Sequence, residues 1–173
     1  KIYRSNTTDF RWRFALIDLE LSLNPNGWTT CTFNHIQYMQ DQSPDNPFIN
    51  IWLQSIQNEQ YTNQLINRYA DLMNTSYLTD TLLAISQQFY NKMVVEMPNE
   101  YERWGDPFNV DGQMEDFENN HGKFEQQLAC RNDQVRGEIL SAFDLDKEVT
   151  VQLAVFPDSS GSIQLNTIHP EVY

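Results

Sequence analysis

The expected organisation of this chain follows from residues 11–20, which read Arg11-Trp12-Arg13-Phe14-Ala15-Leu16-Ile17-Asp18-Leu19-Glu20. Trp12, Phe14 and Leu16 alternate with other residues, which is the period of a pleated strand. Asp18 then stands inside an apolar run, and a bare buried carboxylate is unfavourable unless it is paired or binds a metal. The pattern therefore predicts a buried strand that ends in an acidic site, and an aspartate that caps the following turn is the open alternative.

Composition and charge limit the classes of protein to be considered. The chain has 173 residues, 40% of them hydrophobic and 13% aromatic, which is enough for one folded domain with a core. Its formal net charge of −13 repels nucleic acid and anionic lipid over the general surface. No run of about 18 apolar residues occurs, so we expect no transmembrane segment and no nucleic-acid partner.

The two ends of the chain and its two cysteines suggest further expectations. Lys1 leads almost directly into a strand and residues 169–173 follow no closing element, so we expect a fragment of a longer protein. Cys31 and Cys130 are too few for a zinc site. A disulfide between them is possible, but two buried free thiols are the expected state.

Helical periodicity begins in the second quarter of the chain, after a loop expected from Asn24 to Ser43. Asn46 and Pro47 have the side chains typical of a helix start. Apolar stripes predict a second helix over residues 61–73 and a third that begins at Thr79. These stripes are predicted to lie in the core.

A long helix is predicted after Asp111, because apolar residues recur at alternating spacings of three and four for three heptads. His121, Arg131 and Glu138 interrupt this apolar seam. A guanidinium on such a seam must find a carboxylate or backbone carbonyls, since it stays charged. We therefore predict a buried ion pair for Arg131, with bracing of the acidic strand as the alternative role.

The last part of the chain alternates apolar and polar residues over 148–156 and 162–166, on either side of a turn at 157–161. This pattern predicts a β-hairpin. The expected fold is therefore α+β and mainly α, with an N-terminal strand hairpin, a bundle of about four helices and a C-terminal β-hairpin. The expected division is 1–143 for the first domain and 144–173 for the hairpin, as the start of a β-rich module or a link to one.

Three features resemble the CotH protein kinase family, an atypical kinase group of spore-coat and bacterial surface proteins. The first is the line W-x-x-x-x-x-D-x-[DE], present here from Trp12 to Glu20. The others are Glu102-Arg103-Trp104 and the helix pattern Phe117-x6-Phe124-x6-Arg131. The resemblance runs from about Lys1 to about Ser141 and matches the later part of the family domain, which implies a helical scaffold like the C-terminal lobe of a kinase.

The resemblance also implies a site. In the family the first acid of the line binds metal, so Asp18 is the expected ligand and Glu20 the reserve or supporting acid. Asn24 or Asn26 in the following loop would add an oxygen toward the metal and nucleotide. Arg131, Arg103 and Trp104 are expected to give structural support.

The implied activity belongs to the intact protein. It would use Mg²⁺ and ATP to phosphorylate Ser or Thr of a protein substrate. The catalytic base and its Asn lie upstream in the family, so this fragment is expected to be inactive alone, to bind no cofactor by itself and to have the missing N-terminal part of its own chain as a partner. The expected location is the bacterial cell surface, the secreted fraction or the spore coat, with the cytoplasm as the alternative.

Two other functions stay open from the residues. A non-enzymatic surface or spore-coat module that binds protein or glycan would suit the acidic surface and loop aromatics such as Trp28 and Tyr38. A glycosidase-like carboxylate pair at Asp18 and Glu20 is less favoured, because two acids at this spacing are too common to be specific.

Overall fold

The computed structural model describes residues 2–4, 7, 10–14, 30–157 and 161–168, and this part of the chain is mainly helical. The six helices of the described residues are α1 (His35–Gln40), α2 (Pro47–Ser55), α3 (Glu59–Met73), α4 (Thr79–Met93), α5 (Met97–Trp104) and α6 (Val110–Ala142). The mainly helical class is thus confirmed, with six helices where the sequence predicts about four.

Two three-residue strands lie at the N-terminus. β1 (Ile2–Arg4) pairs antiparallel with β2 (Trp12–Phe14), and Tyr3 lies opposite Arg13. The predicted continuation of the second strand from residue 15 to residue 20 lies outside the described residues.

Asparagine side chains begin three of the helices. The Oδ1 atom of Asn46 accepts a hydrogen bond of 3.0 Å from the Phe48 amide at the start of α2, as the sequence predicts. Asn58 caps α3 in the same way. Such caps satisfy amides that have no partner inside the helix, and each contributes on the order of 1 kcal/mol.

The prediction of a loop from Asn24 to Ser43 is wrong for its last part, because α1 forms there. This helix is only six residues long and shows too short a stripe to be read from periodicity. Asn34 caps its first turn, and Ile36 is buried in the same core cluster as Met73 and Ile139. Burial of Ile36 in the tertiary structure stabilises α1, which its local sequence does not predict.

The long helix α6 is the spine of the described structure. It has 33 residues, so it extends about 50 Å, and it contacts α1, α3, α4 and α5. The main cluster of buried apolar residues lies at its C-terminal half, where Val135 and Ile139 meet Ile36 and Met73. In the described part of the chain, neither α6 nor any other helix is both long enough and apolar enough to cross a membrane.

The predicted C-terminal hairpin is not confirmed by the described residues. Residues 148–157 and 161–164 have no strand, and the only ladder element among the described C-terminal residues is an isolated antiparallel bridge between Leu165 and Ile168. A two-stranded hairpin is marginal unless another element covers it. The turn at 165–168 is instead held by polar contacts with α3.

Candidate functional site

The residues predicted to hold metal and nucleotide, Asp18, Glu20, Asn24 and Asn26, lie outside the described residues. The described residues on either side of them are β2, which ends at Phe14, and the stretch that begins at Thr30. Within the described ranges, no group of three or more His, Cys, Asp or Glu side chains is placed to hold a metal ion. We call residues 15–29 the acidic segment; the described candidate site consists of the contacts made by the residues that follow it.

Residues 31–33 follow the acidic segment directly and are attached to α6. We call the attachment the loop anchor; its members are Cys31, Phe33, Gln127, Cys130, Arg131 and Glu138. Cys31 and Cys130 form a disulfide with their Cα atoms 6.0 Å apart. The expectation of two free thiols is therefore wrong; it rested on spacing along the chain, which does not show that the two residues meet across 99 positions.

Arg131 lies at the centre of the loop anchor. Its Nη1 atom donates to the backbone carbonyls of Cys31 at 2.9 Å and Phe33 at 3.0 Å. It also forms a two-pronged ion pair with Glu138, at 2.7 and 3.1 Å. This is the paired state predicted for a guanidinium on an apolar seam, and its planar fork matches a carboxylate.

The anchor has a second connection beside the disulfide. The side-chain oxygen of Gln127 accepts a hydrogen bond from the backbone amide of Cys31. The backbone amide, the backbone carbonyl and the side chain of Cys31 are thus all bound to one turn of α6, at residues 127–131. Residue 31 is therefore held at a fixed point on the helical scaffold.

The anchor also sets the protonation of His35 at the start of α1. Partial burial lowers the pKa of His35, the positive charge of Arg131 lowers it further, and Glu138 raises it in part. A neutral imidazole is thereby favoured next to the guanidinium. His35 contacts Phe33 edge-on, with 4.7 Å between ring centroids, so the same residue that Arg131 holds packs against it.

A second polar cluster joins α6 to the C-terminal end of α3, and sequence reasoning missed it. The Asn132 amide donates to the carbonyls of Met73 at 3.1 Å and Tyr77 at 2.6 Å. Arg136 donates to the Met73 carbonyl at 2.8 Å and to Asn132 at 2.7 Å. These bonds satisfy the Met73 carbonyl, which the end of α3 leaves without a partner inside the helix, and the Tyr77 carbonyl in the turn that follows.

A third cluster holds the C-terminal turn on α3. Asp71 is 2% exposed, and it accepts bonds from the amide of Thr167 at 3.1 Å, from the hydroxyl of Thr167 and from Asn166 at 3.3 Å. Desolvation by itself raises the pKa of Asp71, but the hydrogen bonds from Thr167 and Asn166 outweigh it and hold this pKa below its usual value. The burial of Asp71 could not be predicted from apolar periodicity, because a buried aspartate has the same sequence signal as an exposed one.

An apolar groove of about 580 Å³ lies between α4 and the first half of α6. Its residues include Leu82, Ile85, Phe89, Met93, Phe117, Phe124 and Leu128. The prediction that the α4 stripe lies in the core is wrong for three of its members, since Ile85, Phe89 and Met93 are 42–61% exposed. Among the described residues, the stripe faces α6 on one side, and Ile85, Phe89 and Met93 stay exposed on the other.

Polar side chains in the wall of this groove do not form a catalytic triad. The hydroxyl of Ser86 lies 3.0 Å from His121 Nε2, and Glu125 lies 3.5 Å from the same nitrogen. A triad needs the acid on the opposite ring nitrogen, where it orients the base. Ser86 also lies in the middle of α4, where backbone amides are bonded within the helix and cannot form an oxyanion hole. The contact therefore links two helices, and Tyr90 stacks on His121 with ring centroids 4.2 Å apart.

Arg103 and Trp104 contact each other at the end of α5. The guanidinium carbon of Arg103 lies 5.2 Å from the centroid of the Trp104 ring, a cation–π arrangement. Trp104 is 72% exposed, so this contact lies on the surface. The structural support that the sequence suggests for the pair stays a prediction.

Comparison of the chain with family models, with curated proteins and with solved structures found no match in any of the three. The function is therefore inferred from the residues of the chain and from the contacts they make.

Proposed function

We propose that this chain is the C-terminal part of an atypical protein kinase of the CotH type. The intact enzyme would transfer the γ-phosphate of ATP to Ser or Thr of a protein substrate. The observation that carries the proposal is the loop anchor, in which the disulfide, Gln127 and Arg131 tie Cys31 to the spine helix. A catalytic loop needs such a rigid support, because small displacements of a reacting group cost large factors in rate.

The proposed ligand set lies in the segment that the anchor borders. Asp18 would be the main carboxylate for Mg²⁺, with Glu20 in reserve and an oxygen from Asn24 or Asn26. Mg²⁺ favours one or two carboxylates with waters and phosphate oxygens, and when bound it offsets the negative charge of the phosphates. A local cation is needed here, because the chain as a whole has a formal net charge of −13 and repels ATP.

The partners follow from the same proposal. The family pattern places the catalytic base, its Asn and the nucleotide lysine upstream of Trp12, in a preceding part of the same protein. The 173 residues alone would therefore be inactive, and the preceding part would dock on them to complete the ATP site. The protein substrate is the second partner.

The disulfide bears on the proposed location. Structural disulfides form and persist in oxidising environments such as the cell surface and the secreted fraction. Cys31 and Cys130 are both used in this bond. This supports the bacterial surface, secretion or the spore coat as the location, over the cytoplasm.

The test uses the intact, longer protein with its preceding segment. Transfer of labelled γ-phosphate is measured with and without Mg²⁺ for the wild type and for Asp18→Asn. The matched control is Asp133→Asn, an exposed acid on α6. We expect Asp18→Asn to lower transfer by about 100-fold or more, as loss of an electrostatic element at a transferring group does, and the control to keep full activity. Equal transfer by wild type and Asp18→Asn, or transfer by both without any divalent metal, would contradict the proposal.

A further inference from the structure

The groove between α4 and α6 has the shape of a binding site for a third helix. Ile85, Phe89 and Met93 recur every four residues along one wall and so extend about 12 Å along α4. Phe117 and Phe124 lie on the facing side of α6, one heptad apart. Two parallel rows of apolar side chains at this spacing match the stripe of an amphipathic helix, whose anchors recur at three and four residues.

The groove is open although it is apolar. Phe89 is 61% exposed and Met93 is 47% exposed, while Leu128 at the inner end of the groove is buried. Contiguous apolar surface of this kind is uncommon on soluble proteins and typically marks an interaction site. The proposed kinase chemistry makes no use of it, since the loop anchor lies further along α6 at residues 127–138.

The charge around the groove selects the partner. Residues 79–128, which include both walls, contain ten acidic and three basic side chains, a formal net charge of −7. This stretch is about a quarter of the chain and holds more than half of the net charge of −13. A polar depression adjoins the groove at Asn120, and its charged side chains are Asp116, Glu118 and Lys123, two acidic and one basic. Charges of opposite sign on the occupant would steer it to this face and suppress other partners.

We propose that the α4–α6 groove binds a basic amphipathic helix of a partner protein, with its apolar stripe in the groove and lysines or arginines on its flanks. A second copy of this chain is disfavoured as the occupant, because two such regions would bring charges of −7 and −7 together. A glycan is disfavoured as well, since most of the lining side chains are apolar.

The test uses the full 173-residue chain and a fluorescein-labelled, designed 18-residue helical peptide, with leucines on one stripe and lysines elsewhere. Anisotropy is measured for the wild type, for Phe89→Glu in the groove and for Phe108→Glu as the control. Phe108 is 98% exposed, so its replacement adds the same charge at a site outside the groove. We expect Phe89→Glu to weaken binding at least 10-fold, and Phe108→Glu to leave it unchanged or slightly tighter. A second groove variant, Met93→Glu, and melting curves by circular dichroism separate loss of the site from loss of the fold.

Other outcomes would overturn the proposal. Equal tightening by Phe89→Glu and Phe108→Glu would mean that the peptide responds to charge alone. A peptide with glutamates in place of the lysines is expected to bind at least 10-fold more weakly, and equal binding of the two peptides would refute the charge argument. Sedimentation that shows a wild-type dimer and a Phe89→Glu monomer would assign the groove to a second copy. If the longer protein fails to bind the peptide, the groove belongs to its own preceding part. No binding to the wild type at low ionic strength would also refute the idea.

Discussion

Removing the guanidinium of the loop anchor is the sharpest test of how firmly residues 31–33 are held on α6. Arg131→Met keeps the length and apolar stem of the side chain but leaves Glu138 buried at 6% side-chain exposure without its ion partner. It also removes the donors that Arg131 provides to the carbonyls of Cys31 and Phe33. Breaking one partner of a buried pair costs about 3–5 kcal/mol, most of it from the uncompensated charge that remains.

The predicted loss in the free energy of unfolding can be checked with a double variant that removes both charges. Arg131→Met should lower the free energy of unfolding by about 3 kcal/mol, which for a chain of this size lowers the melting temperature by about 10 °C. The double variant Arg131→Met, Glu138→Leu removes both charges, so it should lose much less than the sum of the two single changes. Arg103→Met is the matched control, since Arg103 is exposed, and it should change stability by less than about 0.5 kcal/mol.

Urea unfolding monitored by tryptophan fluorescence measures these differences, with the disulfide kept oxidised in every variant. A loss below about 0.5 kcal/mol for Arg131→Met would refute the view that this ion pair is a buried structural element. Strict additivity of the two single changes would refute it equally, because coupled groups do not add. In the intact protein, the same substitution should lower phosphoryl transfer before the fold is lost, if the anchor positions the acidic segment.

Three further predictions concern the other contacts. Replacing Cys31 and Cys130 together with serine should lower stability by about 4 kcal/mol, because the bond closes a long loop, and urea unfolding of the variant against the oxidised wild type measures this. The folded-state pKa of Asp71 is lowered, so its contribution is fully present above the unfolded value of 3.8 and is lost as pH falls through the folded value. Asp71→Asn should therefore abolish part of the acid dependence of stability, and unfolding curves between pH 2 and 6 that superimpose on the wild type would contradict it. Asn132→Ala should cost about 2 kcal/mol and speed hydrogen exchange near Tyr77, whose carbonyl loses a buried donor.

Periodicity predicted the helical part of the fold well. The starts of α2 at Asn46 and Pro47 and of α4 at Thr79 are as expected. The helix α6 begins at Val110, so Asp111 lies in its first turn and does not precede the helix as expected. These elements follow from local chemistry, since caps and a 3.6-residue period act over a few neighbouring residues. The pairing of Arg131 also follows locally, because a charge on an apolar seam has few alternatives.

Contacts between distant residues could not be predicted in this way. The disulfide joins residues 99 positions apart, and Asp71 meets Thr167 across 96 positions. Nothing in the sequence near Asp71 distinguishes it from an exposed acid. The formation of helix α1 has the same origin, since it depends on what the rest of the chain places beside Ile36.

The sequence by itself therefore determined most of the longer helices, approximately where they begin, and that Arg131 needs a partner, because these are properties of neighbours along the chain. Only the tertiary structure decided which cysteines meet, which carboxylate is buried and which apolar stripe stays open between α4 and α6. The physical reason is that burial is a property of the packed whole. The side chains of Ile85, Phe89 and Met93 would be buried in the core if one more helix packed on them. In the described structure they line an exposed groove.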